Sequence, residues 1–549
     1  MSKAADLIVA GKAAYTFDEM DPGSSALAIR EGVIVGRGAS LADLQEFRGP
    51  STHVVEESDL VLLPGFFDTH NHLSWTSQDD GNVDVSEADT IDGVVAKLRA
   101  RAEQTPPGHW VVGRRLWHET LLRENRLPTA RELDAASADH PIFLPRGGHV
   151  GVANSRALEL AGITEALPDP HGGTIVRDAE GCPTGPLIEF PAMAPVSALI
   201  PASGHEERVA ALSRTCATYA SRGICAVRDP GIGAEDVDVY RDLRHRGALK
   251  LRARPLMMLD PVNGLQANLD LLDRMGVSPG EGDPMLRFEG VKIFADGGVE
   301  GGWLSEPYET SPDYCGHAFF DHDELTELVT HAARLGWKVG CHAVGDNAVR
   351  MVIDVYERVR KTIPDIGRRA LAIEHAFFAD AQTRRRAIDL GIPVTVQPAL
   401  LYALAGNMLT HWGPDRTARV MPVAEWLEEG GELAGGSDCN VAPFDPLLAI
   451  WAFVTRGTKM TGIQGVRSAI DRRTAFRLYT TDAARLTGEE HFRGRLAVGQ
   501  AADLVAFRDD PLTCDLDDLP NLSPVLTMVG GRGSYDPEGL LRDHFPELL

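Results

Sequence analysis

The sequence lacks long hydrophobic runs. None of its apolar stretches approaches the roughly 20 residues that a membrane-spanning helix requires. Near the start of the chain only residues 7–10 are apolar, and acidic residues follow soon after, unlike a secretory signal peptide. The sequence therefore predicts a protein that does not contact a membrane.

Cysteine is also scarce. The 549 residues include seven cysteines, which are scattered and form no Cys-x-x-Cys pair. An odd number of scattered cysteines is typical of a protein whose thiols stay free in a reducing compartment. We therefore predict a cytoplasmic location.

Basic residues are too few to balance the acidic ones. The chain has 54 Lys and Arg against 79 Asp and Glu, a formal charge of −25. Such an excess repels phosphate backbones, which argues against a nucleic-acid partner and favours a small-molecule substrate. The remaining composition, 44% hydrophobic and 24% charged, is that of an ordinary globular protein.

Both ends of the chain carry short apolar segments bounded by Gly, Asp or Ser, the pattern of β-strands. Neither end can form a stable sheet alone, because two or three strands are marginal in water. We therefore predict one small β-sandwich domain, formed jointly by residues 1–62 and 491–549.

The segment between the two ends, residues 63–490, alternates between strand-like and helix-like patterns. Helical patterns occupy residues 322–336, 348–363 and 380–391. Eight mostly apolar strands separated by helices favour an α/β fold of the (β/α)₈ TIM-barrel type over an open sheet. The candidate strands are residues 60–72, 224–231, 249–259, 289–298, 337–346, 371–377, 392–400 and 432–440.

The first two candidate strands are separated by about 150 residues, which is too long for a single loop. This stretch has strand-like segments of its own at residues 110–117, 141–148 and 173–185. We therefore predict an inserted α/β subdomain at about residues 78–200, after the first barrel strand.

Ionisable side chains cluster where the predicted strands end, which is the catalytic face of such barrels. Alternation along the first strand places the two histidines of His70-Asn71-His72 on the same side. Neutral imidazoles and carboxylates are ligands that suit Zn, Mn, Fe or Co. The candidate residues are His70, His72, Lys292, His342, His375 and Asp438.

Each of these residues also has an ordinary structural interpretation. A His-x-His pair occurs by chance, and His342 or His375 alone could be a core histidine. Lys292 could lie at a solvated strand end, and Asp438 could be a turn residue or a helix N-cap. Their joint occurrence at the ends of five different predicted strands favours a metal site.

Several motifs, in their order along the chain, resemble the amidohydrolase superfamily and within it the N-substituted formamide deformylase-like (YtcJ-like) branch. The resemblance extends over most of the chain. The motifs are PGFFDTHNH (64–72), the lysine in VKIFADGG (291–298), HAVGDNA (342–348), IEH (373–375), GSDCNVAPFDP (436–446) and GRLAVGQAADLVAF (494–507).

The resemblance implies a site for two divalent metals, expected to be Zn, with Mn or Fe as alternatives. His70, His72 and Asp438 would bind the more buried metal. His342 and His375 would bind the other. Lys292 would bridge both after carboxylation by CO₂, since an ammonium repels dications whereas a carbamate is an anion.

The implied activity is hydrolysis of a non-peptide C–N bond, as in an N-acyl or N-formyl amine or a cyclic amide. Paired metals share a hydroxide that attacks the carbonyl. Asp438 would act as general base towards the water and then as general acid towards the departing amine. By analogy with the family we also expect a homodimer.

Three other functions stay open from the sequence. The same nucleophile serves hydrolysis of an ester or carbamate, and also deamination of a ring amine. Deaminases of the superfamily carry a glutamate three residues after the strand-5 histidine, where this chain has Gly345. Some members of the superfamily have lost their metals and act as non-catalytic scaffolds.

Substrate contacts are predicted at His149, Trp75, Trp303 and Tyr402. His149 lies in a segment resembling the family's G-H-x-x-x-x-N-S motif, but could equally be a surface histidine in a Gly-rich turn. The three aromatic residues lie near strand ends, where core packing is the alternative. Cys439-Asn440 stand where the family usually has Trp-Pro, and residues 114–119 also depart from the family's pattern. Both departures lie near the predicted pocket and weaken the transfer of a relative's substrate to this chain.

Overall fold

The computed structural model describes residues 4–20 and 23–541, so residues 1–3, 21–22 and 542–549 of the predicted terminal domain lie outside the described residues. The described chain contains three β-sheets. In chain order the strands are β1 (Leu7–Ala14), β2 (Ser24–Arg30), β3 (Val33–Gly38), β4 (His53–Glu56), β5 (Val61–Pro64), β6 (Phe66–Asp68), β7 (Val111–Val112), β8 (Ile142–Arg146), β9 (Val150–Ala153), β10 (Thr174–Arg177), β11 (Pro183–Ile188), β12 (Ile224–Ile232), β13 (Arg252–Met258), β14 (Gly290–Phe294), β15 (Lys338–Ala343), β16 (Leu371–His375), β17 (Val394–Val396), β18 (Leu433–Gly435), β19 (Leu504–Phe507), β20 (Leu526–Val529) and β21 (Arg532–Tyr535).

Helices connect and cover these sheets. Short 3₁₀ segments lie at Leu41–Phe47, Glu119–Leu121, Pro261–Asn263, Val466–Ser468 and Leu516–Asn521. The α-helices are α1 (Leu73–Gln78), α2 (Ile91–Ala102), α3 (Ala130–Asp134), α4 (Ser155–Leu160), α5 (Phe190–Ser197), α6 (His205–Ala220), α7 (Ala234–His245), α8 (Gly264–Asp273), α9 (His322–Arg334), α10 (Asp346–Thr362), α11 (Ala381–Asp389), α12 (Pro398–Thr417), α13 (Val423–Glu428), α14 (Pro446–Thr455), α15 (Arg472–Leu478) and α16 (Thr481–Leu486).

Eight parallel strands form the predicted barrel, in the order β6-β12-β13-β14-β15-β16-β17-β18. The first and last strands approach each other where the Thr69 amide donates a hydrogen bond to the Gly435 carbonyl, at 3.1 Å. Outer helices bury one face against the barrel: on α10, Val349, Val352 and Tyr356 are buried at helical spacing. The (β/α)₈ fold class predicted from the sequence is confirmed.

The two ends of the chain build one sheet of eight strands, in the order β21-β20-β19-β5-β1-β2-β3, with β4 paired to β1. Alternation along β1 places Leu7 and Val9 in one apolar cluster and Ile8 and Ala10 in another. The sheet therefore packs apolar side chains on both of its faces.

The structure corrects the prediction of one strand over residues 60–72, because two strands lie there. β5 belongs to the terminal sheet and β6 to the barrel, separated at Gly65. A Cβ at Gly65 would lie 2.0 Å from the Sγ of Cys225, so only glycine allows this close approach. β6 ends at Asp68, so the alternation argument for His70 and His72 was wrong: both follow the strand, in the turn that leads into α1.

The candidate strand at residues 392–400 is also shorter than predicted. β17 covers only Val394–Val396, and α12 begins at Pro398. Proline is favourable in the first turn of a helix because its missing N–H has no partner there. Tyr402 consequently lies on a helix and not at the end of a barrel strand.

The segment between β6 and β12 contains a separate five-stranded sheet, in the order β10-β11-β9-β8-β7. Its helices α2–α5 enclose two apolar clusters of their own. The turn between β8 and β9 reaches the barrel mouth, where Gly147 lies against Val441. The exact boundaries of the insertion and of the terminal domain stay predictions.

Within residues 4–20 and 23–541, no helix combines the length and apolarity needed to cross a lipid bilayer.

A buried ion pair attaches the terminal sheet to the barrel. Arg252 of β13 binds Asp503, which precedes β19, through two nitrogens at 2.7 and 2.8 Å. Asp503 also accepts a hydrogen bond from the Gly530 amide at 2.8 Å. Burial raises the pKa of Asp503, but Arg252 outweighs this effect and holds the pKa below its usual range.

Asp503→Asn should lower the free energy of unfolding by about 3–5 kcal/mol, because it leaves a buried guanidinium without its anion. A lowered folded pKa means that this stabilisation is present above the unfolded value of about 3.9 and is lost as the pH falls through the folded value. The difference from wild type, measured by urea unfolding, should therefore narrow below about pH 4. Asp59→Asn is the matched control, since Asp59 pairs with Arg508 but is 58% exposed. Equal effects of the two substitutions would contradict the prediction.

Candidate metal centre and active site

Three buried side chains meet where β6 and β18 end. Ligand atoms of His70, His72 and Asp438 all lie within 4.8 Å of one another. The Nε2 of His72 is 3.0 Å from Oδ1 of Asp438, and the Nε2 of His70 is 3.5 Å from the same oxygen. A backbone hydrogen bond joins the turn after β6 to the turn after β18: the Asp438 amide donates to the His70 carbonyl at 2.7 Å.

A buried carboxylate orients His70. The Nδ1 of His70 lies 2.7 Å from Oε2 of Glu374, and Arg228 binds the other oxygen of Glu374 at 2.7 Å. The Thr395 hydroxyl also donates to Glu374. Because the carboxylate accepts a hydrogen bond from Nδ1–H, the Nε2 of His70 keeps its lone pair for a metal.

His375 and His342 are oriented in the same way. The side-chain oxygen of Gln397 is 2.8 Å from Nδ1 of His375, and the Gly297 carbonyl is 3.1 Å from Nε2 of His342. Each oxygen accepts a hydrogen bond from a ring N–H, which leaves Nε2 of His375 and Nδ1 of His342 as potential ligands. The two ring centroids are 4.6 Å apart, and the His375 centroid is 4.7 Å from that of His70.

Lys292 of β14 lies in the same cluster and is fully buried. Its Nζ is 3.5 Å from Nε2 of His70 and 4.8 Å from the Phe294 ring centroid. Burial lowers the pKa of Lys292 to about 8, despite the attraction of Glu374 and Asp438. A lowered pKa increases the neutral amine, the form that adds to CO₂.

Burial keeps the histidines in the neutral form that binds metal. It lowers the pKa of His70 to about 4, assisted by the charge of Lys292, and lowers the pKa values of His342 and His375 well below the usual range. Burial alone would raise the pKa of Asp438, but His70 and His72 hold it well below its usual range. The cluster therefore offers neutral imidazoles beside a carboxylate anion.

The backbone is strained at this centre. His375 has φ 77° and Asp438 has φ 59°, both in the left-handed region that non-glycine residues rarely adopt. Such conformations cost about 1–3 kcal/mol each and concentrate at functional sites.

His149, from the inserted subdomain, covers the metal-ligand cluster. We use this name for His70, His72, Lys292, His342, His375 and Asp438. Its Nδ1 is 2.6 Å from Oε2 of Glu189, and its ring centroid is 5.4 Å from that of His342. Burial lowers the pKa of His149, but Glu189 outweighs it and raises the pKa overall. A Cβ at Gly297 or Gly301 would lie 2.4 Å from the Glu189 carboxylate, so glycines make room for this pair.

A cavity of about 40 Å³ adjoins the metal-ligand cluster and is lined by His342, His375 and Asp438. One of its walls is apolar, and another carries His149, Arg146 and Glu300. The apolar residues that line it are Val299, Val344, Phe377, Leu400, Leu404 and Val441.

Of the four predicted substrate contacts, only His149 lines this cavity. Trp75 stacks on His72, with ring centroids 4.2 Å apart, and so supports a ligand instead of facing the cavity. Tyr402 packs against Trp451 on α14, at 6.1 Å between centroids. The Trp303 amide donates to Asp296 at 2.8 Å, and its side chain packs on the barrel core.

Several residues that organise the centre were not identified as site residues from the sequence. Glu374 is next to His375 in the IEH motif, but only the fold shows that it binds His70, which follows a different strand. Arg228 and Glu374 could have been noticed in the sequence, because each is a charged residue within an otherwise apolar predicted strand. The sequence contains no comparable signal for Gln397 or Glu189.

The residues present fit a divalent metal centre. Three imidazoles each have one nitrogen held by an oxygen acceptor and the other available, and a buried carboxylate adjoins them. This is the donor set that zinc and related metals prefer. The buried amine of Lys292 completes the set if it is carboxylated.

Comparison with known proteins agrees with this geometry. The chain is 29% identical to the N-substituted formamide deformylase of Arthrobacter pascens, over 98% of this chain and 100% of that protein. It is likewise 29% identical to YtcJ of Bacillus subtilis, over 95% of this chain and 98% of that protein. A solved uncharacterized metal-dependent hydrolase from Pyrococcus horikoshii has 25% identity and a TM-score of 0.72, covering 93% of this chain and 99% of that one.

The resemblance inferred from the motifs is thus confirmed. The family model described as the amidohydrolase family matches residues 58–535, which include the whole barrel and every residue of the metal-ligand cluster. The protein belongs to the amidohydrolase family of metal-dependent hydrolases.

Proposed function

We propose that this enzyme hydrolyses a non-peptide C–N bond of the amide type, as in an N-formyl or N-acyl amine or a cyclic amide. The observation that carries the proposal is the convergence of His70, His72 and Asp438 with a buried lysine at the barrel mouth. Similarity to an N-substituted formamide deformylase over the full chain supports amides as the substrate class.

In this proposal His70, His72 and Asp438 would hold one divalent metal, His342 and His375 would hold a second, and Lys292 would serve as a ligand once carboxylated. Zinc suits these nitrogen and oxygen donors, and Mn or Fe are the alternatives. When bound, such metals lower the pKa of water and polarise a carbonyl.

Asp438 moves the proton in this proposal. Its carboxylate has a second oxygen besides the one near His70 and His72, and that oxygen can accept the proton of the attacking water. The same group then donates the proton to the nitrogen of the leaving amine. Without this transfer the amine would depart as an anion, which is far too basic to leave.

His149 orients the substrate in this proposal. Glu189 accepts a hydrogen bond from its Nδ1, so Nε2 can donate to a substrate oxygen when the ring is protonated. Glu189 raises the pKa of His149, which favours this charged form, and a charged donor makes a stronger hydrogen bond.

Similarity to an N-substituted formamide deformylase favours a small acyl group such as formyl. The apolar wall at Leu400, Leu404 and Phe377 suits a hydrocarbon part of the amine.

The site is less suited to deamination of a ring amine. A Cβ at Gly345 would lie 2.0 Å from the Trp303 carbonyl oxygen, so a glutamate cannot occupy that position without moving the backbone. The proton shuttle of the deaminases therefore has no counterpart there.

A substrate panel tests the proposal. Enzyme produced with added Zn²⁺ or Mn²⁺ and bicarbonate should hydrolyse N-alkylformamides in preference to the matching acetamides, esters, carbamates and aminopurines. Removal of metal by a chelator should abolish turnover, and added metal should restore it. Preferred turnover of esters or aminopurines would overturn the proposal, as would full activity in metal-free protein.

We also propose that the partner is a small molecule, with neither nucleic acid nor membrane involved, and that the protein is a cytoplasmic homodimer. The acidic composition supports the absence of a nucleic-acid partner, and the free thiols support a cytoplasmic location. Light scattering during size exclusion would distinguish a dimer from the 59.4 kDa monomer.

A further inference from the structure

A second group of charged side chains lies beside the metal-ligand cluster, at the cavity wall. Arg146 of β8 is 3.0 Å from Glu119 and 2.5 Å from Glu300. Asn407 of α12 donates to both carboxylates, at 2.5 Å to Glu119 and 3.4 Å to Glu300. Arg146 and Glu300 both line the cavity that the metal ligands His342, His375 and Asp438 also line.

The two oxygens of Glu300 have different surroundings. Arg146 and Asn407 both donate to Oε1, and His411 lies 3.9 Å from that same atom. The other oxygen, Oε2, is buried and has no hydrogen-bond partner. The side chain is only 8% exposed, so bulk water does not solvate it. Buried polar atoms are normally paired, and an unpaired one calls for a specific explanation.

The group also carries unbalanced charge. Glu119 and Glu300 are two carboxylates facing one guanidinium. Burial raises the pKa of Glu300, but Arg146 outweighs it and lowers the pKa to about 2. His118 adds no positive charge, because burial lowers its pKa to about 3. The other basic group near Glu300 is the His411 imidazole, 3.9 Å from Oε1. With a neutral His411, one negative charge at this wall lacks a compensating cation, which is costly in a buried site.

We propose that Glu300 determines substrate specificity by binding, through Oε2, a protonated amine on the amine portion of the substrate. The preferred substrates are then amides of diamines, whose second nitrogen is a cation. The apolar residues Leu400 and Leu404 line the same cavity and suit the methylene chain between the two nitrogens. This inference rests on the proposed amide hydrolysis and adds the chemical class of the amine.

The test uses pairs of formamides that differ only in an end group. In each pair, N-(ω-aminoalkyl)formamide ends in an ammonium group and its partner N-alkylformamide ends in a methyl group of similar size, with two to five methylenes in the chain. For at least one chain length, wild-type kcat/KM should be about tenfold or more higher for the ammonium compound, since hydrogen bonds to charged groups are strong. Glu300→Gln should bring this ratio close to one by lowering the value for the ammonium compound and sparing the methyl compound.

Glu309→Gln is the matched control. Glu309 follows the same barrel strand, but its side chain is 59% exposed and pairs with Arg416 on the outside. This variant should keep the wild-type ratio. A wild-type ratio at or below one at every chain length would overturn the proposal, as would an unchanged ratio in Glu300→Gln.

A binding measurement separates this inference from the proposed function. The diamines and the matching n-alkylamines are the products of the two formamide series, and calorimetry measures their binding to metal-loaded enzyme without turnover. Tighter binding of a diamine than of its alkylamine, lost in Glu300→Gln, would support the site even if no formamide is hydrolysed. In that case only the proposed function fails. Equal binding of both amines by wild type would overturn the assignment of Glu300.

Discussion

Asp438→Asn should reduce kcat by about a thousandfold or more, because general acid–base catalysis contributes about 10²–10⁴-fold and here one group serves both steps. An amide oxygen can still approach a metal, but it accepts no proton from water and returns none to the leaving amine. The folded structure should persist, since asparagine has nearly the same size and the Asp438 amide still donates to the His70 carbonyl.

Three measurements separate loss of chemistry from loss of the site. Steady-state kinetics gives kcat, elemental analysis gives the bound metal, and circular dichroism reports the fold. Asp415→Asn, at an exposed position on α12, is the control and should match wild type in all three. If Asp438→Asn retains metal and turns over within about tenfold of wild type, the proton-transfer role assigned to this residue is wrong.

Glu374→Ala should weaken metal binding by about 10- to 100-fold, the usual effect of removing a group that orients a ligand histidine. The Nδ1 of His70 then loses its acceptor, so the ring can rotate or adopt the tautomer that carries a proton on Nε2. The same substitution should lower the free energy of unfolding by about 3–5 kcal/mol, because Arg228 is left as an unpaired buried cation.

These two effects can be separated by changing Arg228 as well. The double variant Arg228→Met, Glu374→Leu replaces the buried pair by apolar side chains and should recover much of the lost stability. Its metal affinity should stay low, because His70 still lacks an acceptor. Chelator competition measures the affinity and urea unfolding measures the stability.

Glu489→Ala is the control for the stability effect alone. Glu489 forms a buried pair with Arg254 at 2.7 Å, apart from the metal-ligand cluster. This variant should lose stability and keep the wild-type metal affinity. If Glu374→Ala also kept that affinity, within about twofold, Glu374 would be a purely structural residue.

The barrel was predictable because its strands are apolar and its helices are amphipathic, and both patterns are local. The tight connection at Gly65 was not. Residues 60–67 contain no polar side chain, and the close approach of Cys225, which is far away in the sequence, decides where this run divides into two strands. Tyr402 was assigned to a strand end for a similar reason, since nothing nearby except Pro398 marks the start of α12.

The six proposed metal ligands could be named from their positions after predicted strands and from the family motifs. The residues that hold those ligands could not. Glu374 is adjacent to His375 in sequence, yet it binds His70, because neighbouring residues of a strand point in opposite directions. Likewise, Glu189 is 40 residues from His149, and only the pairing of β11 with β9 explains their contact.

The sequence alone therefore determined the fold class, the family and the types of side chain available for chemistry, since these depend on periodic patterns and short motifs. The tertiary structure decided which nitrogen of each imidazole is free, which buried carboxylates lack a partner and how much space remains above the cluster. Those properties arise from contacts between segments far apart in the chain. They matter energetically because an unpaired polar group or charge costs more free energy when it is buried. Glu300 is the clearest example: in the sequence it is one of 79 acidic residues, and in the fold it carries an unpaired oxygen at the wall of the candidate active site.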